Sequence, residues 1–156
     1  MKRSEARRAA VGLIYSSAIS KTPAADMMDD FFNEENFITL NGEDVIFDKS
    51  PDDKTLAYIK NVLSLADEHS SELTGYIGKY AKGWKANRIS GVALAAMKCA
   101  MCEMLYIDDI PAGASVSDAV DIVKEYDEED TASFVNAVLR SFIRGEIETN
   151  ANSDQN

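Results

Sequence analysis

The sequence predicts an all-α protein, and three observations carry that reading. Apolar residues recur at the three- and four-residue spacing of a helix face in almost every segment. Strand-type alternation is weak and confined to one stretch, Phe37–Phe47. The most apolar segment, ISGVALAAMKCAMCEMLY over residues 89–106, is apolar around most of a helical circumference, the pattern of a buried central helix. At 156 residues, 46% hydrophobic and 28% charged, the chain suits one globular domain with a sizeable core.

The first helix is expected over Arg3–Ser20, with Ala6, Ala10, Leu13 and Ile14 on the core face. Ser4, Arg8, Val11 and Tyr15 then face away from the core. Arg8 and Tyr15 lie seven residues apart, nearly two turns, so both point the same way, with Arg3 and Arg7 flanking them. Such a pair can grip phosphate and stack on a base, or be a plain solvated surface. Residues 22–55 read as an acidic excursion. Within it AADMMDDFFNEE suits a short helix, and FITLNGEDVIF, with its Asn41-Gly42 turn signal, suits a loop or at most a short hairpin.

Ser50-Pro51-Asp52-Asp53 predicts the next helix start, with serine as cap, proline in the first turn and carboxylates at the positive end of the dipole. Leu56, Ile59, Leu63 and Ala66 form its core stripe, which Leu73, Ile77 and Tyr80 continue to about Lys82. Gly75, Gly78 and Gly83 there mark bends or close packing. The central helix is expected from Asn87 to Tyr106, with Ala93, Ala96 and Ala100 as a seam for close approach. Glu103 is its exception, a carboxylate that either points outward or caps a neighbour. Pro111 ends the segment. Ser115 or Ser117 caps the following helix, and Asp130 or Thr131 caps the last. Residues 146–156 are expected to be a polar, disordered tail on an all-helical domain of residues 1–145.

The formal net charge of −11 argues against indiscriminate binding to nucleic acid. The charge is uneven, however. Residues 1–21 hold Lys2, Arg3, Arg7, Arg8 and Lys21 against only Glu5, whereas carboxylates crowd residues 22–57. A basic end on an acidic body is either an anion-binding site or a solvated helix face. Cys99 and Cys102 have C-x-x-C spacing but sit inside the apolar segment, which suits buried reduced thiols rather than a redox pair. A zinc site needs further ligands, and His69 is the sole histidine. No phosphate loop, metal cluster or catalytic constellation is legible, so the expectation is a protein that is not an enzyme and takes no cofactor. The sequence shows neither a membrane-spanning run nor a secretory signal, which makes the cytoplasm the expected location.

The segment RISGVALAAMKCAMCEMLYIDDIPAGASVSDAVDIVKEYDEEDTASFVNAVL carries a resemblance. Glu103-Met104-Leu105, Asp109-Ile110-Pro111, Val116-Ser117-Asp118-Ala119-Val120 and Phe134-Val135-Asn136-Ala137-Val138-Leu139 follow, in order and spacing, the motifs of the NusB family of bacterial transcription antitermination factors. RSEARRAAVGLIYS resembles that family's arginine-rich opening and its L-Y-S. The resemblance implies two small helical bundles packed into one compact domain. It implies binding of boxA-type single-stranded RNA together with NusE, a small-subunit ribosomal protein, within an RNA polymerase antitermination complex that acts on ribosomal RNA transcription. Carried over by motif position, the RNA-binding residues are Lys2, Arg3, Arg7, Arg8, Tyr15, Asp130 and Phe134; NusE docking, which in the family uses helices of the C-terminal half, falls loosely near Tyr80, Lys82 and Glu103. Self-association among relatives adds a homodimer to the implied partners.

The chain departs from the family pattern at several points. Ser117 stands where asparagine is usual, Ala137 where glycine is usual, and Ser4 and Glu5 dilute the arginine-rich opening. A helical module that binds only protein is therefore the competing expectation. A NusB-like domain attached to an RNA methyltransferase is disfavoured by the short polar tail.

Overall fold

The computed structural model describes the backbone of residues 2–33, 37–40, 43–46, 51–83 and 88–149. Seven α-helices are described: α1 Arg3–Ser20, α2 Ala24–Asn33, α3 Asp53–Glu68, α4 Ser70–Tyr80, α5 Gly91–Tyr106, α6 Ala112–Tyr126 and α7 Glu129–Phe142. A π-helical run, Ile143–Glu148, prolongs α7. Between α2 and α3 the strands β1 (Phe37–Leu40) and β2 (Glu43–Ile46) pair antiparallel, Phe37 opposite Ile46 and Leu40 opposite Glu43. The acidic excursion thus contains the short hairpin. β-Branched Ile38, Thr39, Val45 and Ile46 favour the extended form, and the Asn41-Gly42 signal lies outside the described residues.

One bundle gathers α1, α2 and α3, with β1 against α1. The other gathers α4, α6 and α7. Helix α5 packs against α1 and α3 on one side and α4, α6 and α7 on the other, so it belongs to both. Its sequence explains this position. Val92, Ala93, Ala95, Ala96, Met97, Cys99, Ala100, Met101 and Cys102 are all buried. Alanines bring neighbouring backbones close, and Met97 and Met101 fill the remaining space.

Helix α1 begins and ends where the periodicity places it, but it is buried around most of its girth. Ala6, Arg7, Ala9, Ala10, Val11, Gly12, Leu13 and Ile14 are all covered. Val11, expected on the outward face, is 1% exposed. Five elements, α2, α3, α5, α6 and β1, lie against this one helix, and its small side chains let them approach.

Several helix starts also differ from expectation. Asp52, rather than Ser50, caps α3 and accepts from the Thr55 N–H at 2.8 Å; Ser50 lies outside the described residues. Helix α5 starts at Gly91, where the Ser90 hydroxyl accepts from the Ala93 N–H at 3.1 Å; Asn87 lies outside the described residues. Helix α6 starts directly after Pro111, which leaves Ser115 and Ser117 inside it. Glu128 precedes α7, so Asp130 and Thr131 fall in its first turn. Gly75 and Gly78 lie within α4 with open space beside them, marking neither a bend nor a close contact. Gly83 adopts φ +87°, where a side chain is strained.

At the far end helical structure runs through Glu148, beyond the expected domain limit at 145. Ile147 packs on the core and Glu146 pairs with Lys79 at 3.3 Å, which ties these residues down. Residues 150–156 of the expected tail lie outside the described residues.

Candidate nucleic-acid interface

The arginines of α1 do not form one exposed row. Arg7, 7% exposed, points into the junction of α1, α5 and α6. Its Nε donates to Glu103 Oε1 at 2.7 Å and its Nη2 to Glu103 Oε2 at 2.9 Å, a two-pronged pair. Its Nη1 donates to Asp118 Oδ2 at 2.6 Å. Burial disfavours this charge, but hydrogen bonds to Glu103 and Asp118 outweigh it and hold the guanidinium even more firmly protonated than an ordinary arginine. Glu103 itself is 1% exposed. It turns inward to neutralise Arg7 rather than pointing outward or capping a neighbouring helix.

Arg8 leans the other way and donates through Nη2 to Glu125 Oε2 of α6 at 2.6 Å, near the surface. Arg3 is exposed, and its guanidinium carbon lies 4.0 Å from the centre of the Tyr58 ring on α3. Lys2 is exposed just before the helix. Arg3, Lys54 and Asn61 face the α5–α6 loop, including Asp108 and Asp109, across a cleft of about 680 Å³. Basic and acidic walls therefore oppose each other at this end.

Tyr15 is half-buried rather than free. Its ring rests on the first residue of α5: a Cβ added to Gly91 would lie 2.9 Å from the ring. The absence of a side chain at Gly91 is what lets the ring settle there. Asp130 is exposed in the first turn of α7, while Phe134 is 8% exposed and belongs to the core. The Arg8–Glu125 pair joins α1 to the C-terminal part of α6, from which the chain turns toward Asp130.

The three docking candidates do not form one patch. Tyr80 stands edge-on to Phe142 with ring centres 6.0 Å apart, and its hydroxyl lies where a Gly145 side chain would be. Lys82 is exposed beyond α4, and Glu103 is inside. A further polar cluster went unread in the sequence. His69 stacks on Tyr106 with ring centres 4.2 Å apart, and Glu72 accepts hydrogen bonds from Tyr106 at 2.7 Å and Tyr76 at 3.2 Å. These bonds, Tyr106 foremost, hold the Glu72 carboxyl below its ordinary range. Asp118 and Glu125 were also missed as partners of the arginines; no local pattern marks them.

Among the described residues no cluster suited to a metal ion occurs, and no helix is long and apolar enough to cross a membrane. The thiols of Cys99 and Cys102 are both buried and unpaired.

Comparison with known proteins places this arrangement in context. The NusB family profile matches residues 4–144. The transcription antitermination protein NusB of Ruminiclostridium cellulolyticum is 34% identical over 154 residues, spanning 97% of this chain and 97% of that protein. Its counterpart from Thermoanaerobacter sp. (strain X514) is 32% identical over 146 residues, 94% of this chain and 93% of that one. The solved structure of T. maritima NusB superposes with a TM-score of 0.77 at 21% identity, over 93% of this chain and 92% of that one. A chain in the crystal structure of antitermination factors NusB and NusE in complex with dsRNA gives 0.74 at 22%, over 91% and 96%. At these identities the structural likeness shows the fold.

Proposed function

Because the chain belongs to the NusB family, we propose that it is a transcription antitermination factor. It binds boxA-type single-stranded RNA together with NusE and joins an RNA polymerase complex in the cytoplasm during ribosomal RNA transcription. The observation that carries this reading is the match, over nearly the whole chain, to proteins named for antitermination. In this reading the residues take different roles. Lys2, Arg3 and Arg8 supply charge at the surface, Tyr15 supplies a ring for stacking, and Asp130 borders the same face. Arg7 acts from within by fastening α1 to α5 and α6, and Phe134 supports α7 from the core side. On the partner side, Tyr80 and Lys82 are the accessible candidates, with Glu103 acting only through Arg7.

One observation favours a second reading, a module that binds protein alone. Arg7 and Arg8 are both matched by carboxylates, which reduces the charge available to phosphate. Fluorescence polarisation with boxA-type RNA, with and without NusE, separates the two. In the first reading Tyr15→Ala weakens binding by about 1–3 kcal/mol with an unchanged salt slope, as expected for lost stacking. Arg8→Ala instead flattens the salt slope by about 0.7. Failure of the wild type to bind RNA under either condition, with NusE binding retained, establishes the second.

A further inference from the structure

Helix α5 presents Gly91, Leu94 and Lys98 along one face, at offsets of three and seven residues. That face lines a cavity of about 130 Å³ between α5, the C-terminal half of α1 and the α3–α4 junction, where Asp67 and Ser70 sit. Tyr15 lies at its edge, its ring on Gly91. At roughly 30 Å³ per water molecule the space admits a tetrahedral oxyanion with some of its hydration.

Lys98 is the unusual member. It is half-buried and makes no hydrogen bond or ion pair with the described residues. The carboxylate on the same wall is already engaged: Asp67 accepts from the backbone N–H groups of Ala24 at 2.9 Å and Ala25 at 3.0 Å, which caps α2. Burial lowers the Lys98 pKa, and no carboxylate opposes that shift. A partly desolvated ammonium without a counter-ion is costly, and an incoming anion removes that cost. In a chain of net charge −11, Lys98 is a cation that shares a cavity with an aromatic ring and has no carboxylate bound to it among the described residues.

We propose that this cavity is a phosphate subsite in which Lys98 Nζ contacts one backbone phosphate of single-stranded RNA whose neighbouring base stacks on Tyr15. The assignment rests on the RNA-binding reading and adds a residue of the central helix to it. Its place in a cavity that the Tyr15 ring also lines favours an RNA phosphate over the carboxylate of a protein partner.

The test is a salt series of RNA polarisation measurements with NusE present, on the wild type, Lys98→Gln, Lys98→Met and Lys98→Arg. Loss of one charged contact is expected to weaken binding about tenfold. The salt slope should flatten by about 0.7 in the Gln and Met variants, while Arg retains both slope and affinity. Thermal melting should show the Gln and Met variants to be no less stable than wild type, since an unpaired cation has gone. Wild-type affinity and slope in a folded Lys98→Gln overturn the subsite alone, whereas failure of the wild type to bind RNA overturns the RNA-binding reading with it. Loss of NusE binding rather than RNA binding overturns the phosphate assignment. Titration with inorganic phosphate, followed by the NMR signals of the lysine side chains, distinguishes a free-anion pocket. A Lys98 shift in millimolar phosphate, with the RNA salt slope unaffected by substitution, also rejects the RNA assignment.

Discussion

Removing the Arg7 guanidinium leaves the Glu103 carboxylate buried without a counter-charge. Arg7→Ala is therefore expected to cost about 3–5 kcal/mol in urea unfolding, far beyond the effect of an exposed arginine. Coupling Arg7→Met with Glu103→Leu should recover much of that loss, because it removes both charges rather than stranding one. A double-mutant cycle that shows additive losses would contradict the pairing. The thiols offer a second test. Burial pushes Cys102 up to about 12, and Cys99 is raised too. Both should resist Ellman's reagent at neutral pH until the protein is denatured. The unfolded thiol ionises at about 8.5. The stability that protonated Cys102 contributes is thus full below that pH and is lost as pH rises toward about 12. At this scale the sequence was least informative about Arg7 and Arg8. They are adjacent and alike, and the carboxylates that separate their roles lie 96 to 117 residues away.

At the scale of elements, α5 sets the tolerances of the fold. Ala100 is 2% exposed on its small-residue seam. Ala100→Phe should lower the melting temperature, because overpacking a dense interior typically costs about 1–3 kcal/mol; an unchanged melting temperature would contradict the packing around α5. Helical period was sufficient to place α1 and the apolar core of α5, since both depend on long runs of spaced apolar residues. Helix starts were less legible. Pro111 and Glu128 stand at the starts of α6 and α7, and neither is the small polar residue that capping preference favours. The closure of α1 was hidden for a related reason. Alanine and glycine carry little hydrophobic signal, yet they are what five neighbouring elements pack against.

For the whole molecule, the all-helical character and family were legible because ordered motifs in the second half of the chain survive substitutions at single positions such as Ser117 and Ala137. The proposed binding face was legible only in part: Tyr15 and the exposed end at Lys2 and Arg3 carry recognisable residue types, whereas the partners that withdraw Arg7 do not. The position of α5 also bears on how the protein opens. Because both bundles use the same helix, neither has a complete interior of its own. Native-state hydrogen exchange should therefore find the slowest amides in Met97–Cys102, with exchange there only through global opening and with a protection ceiling shared by α1 and α7. A ceiling for one bundle several kcal/mol below that of the other would show separate foldons. Coincident ceilings would mean that cooperativity is seated in one helix, and that any ligand stabilising α1 also slows exchange in α7.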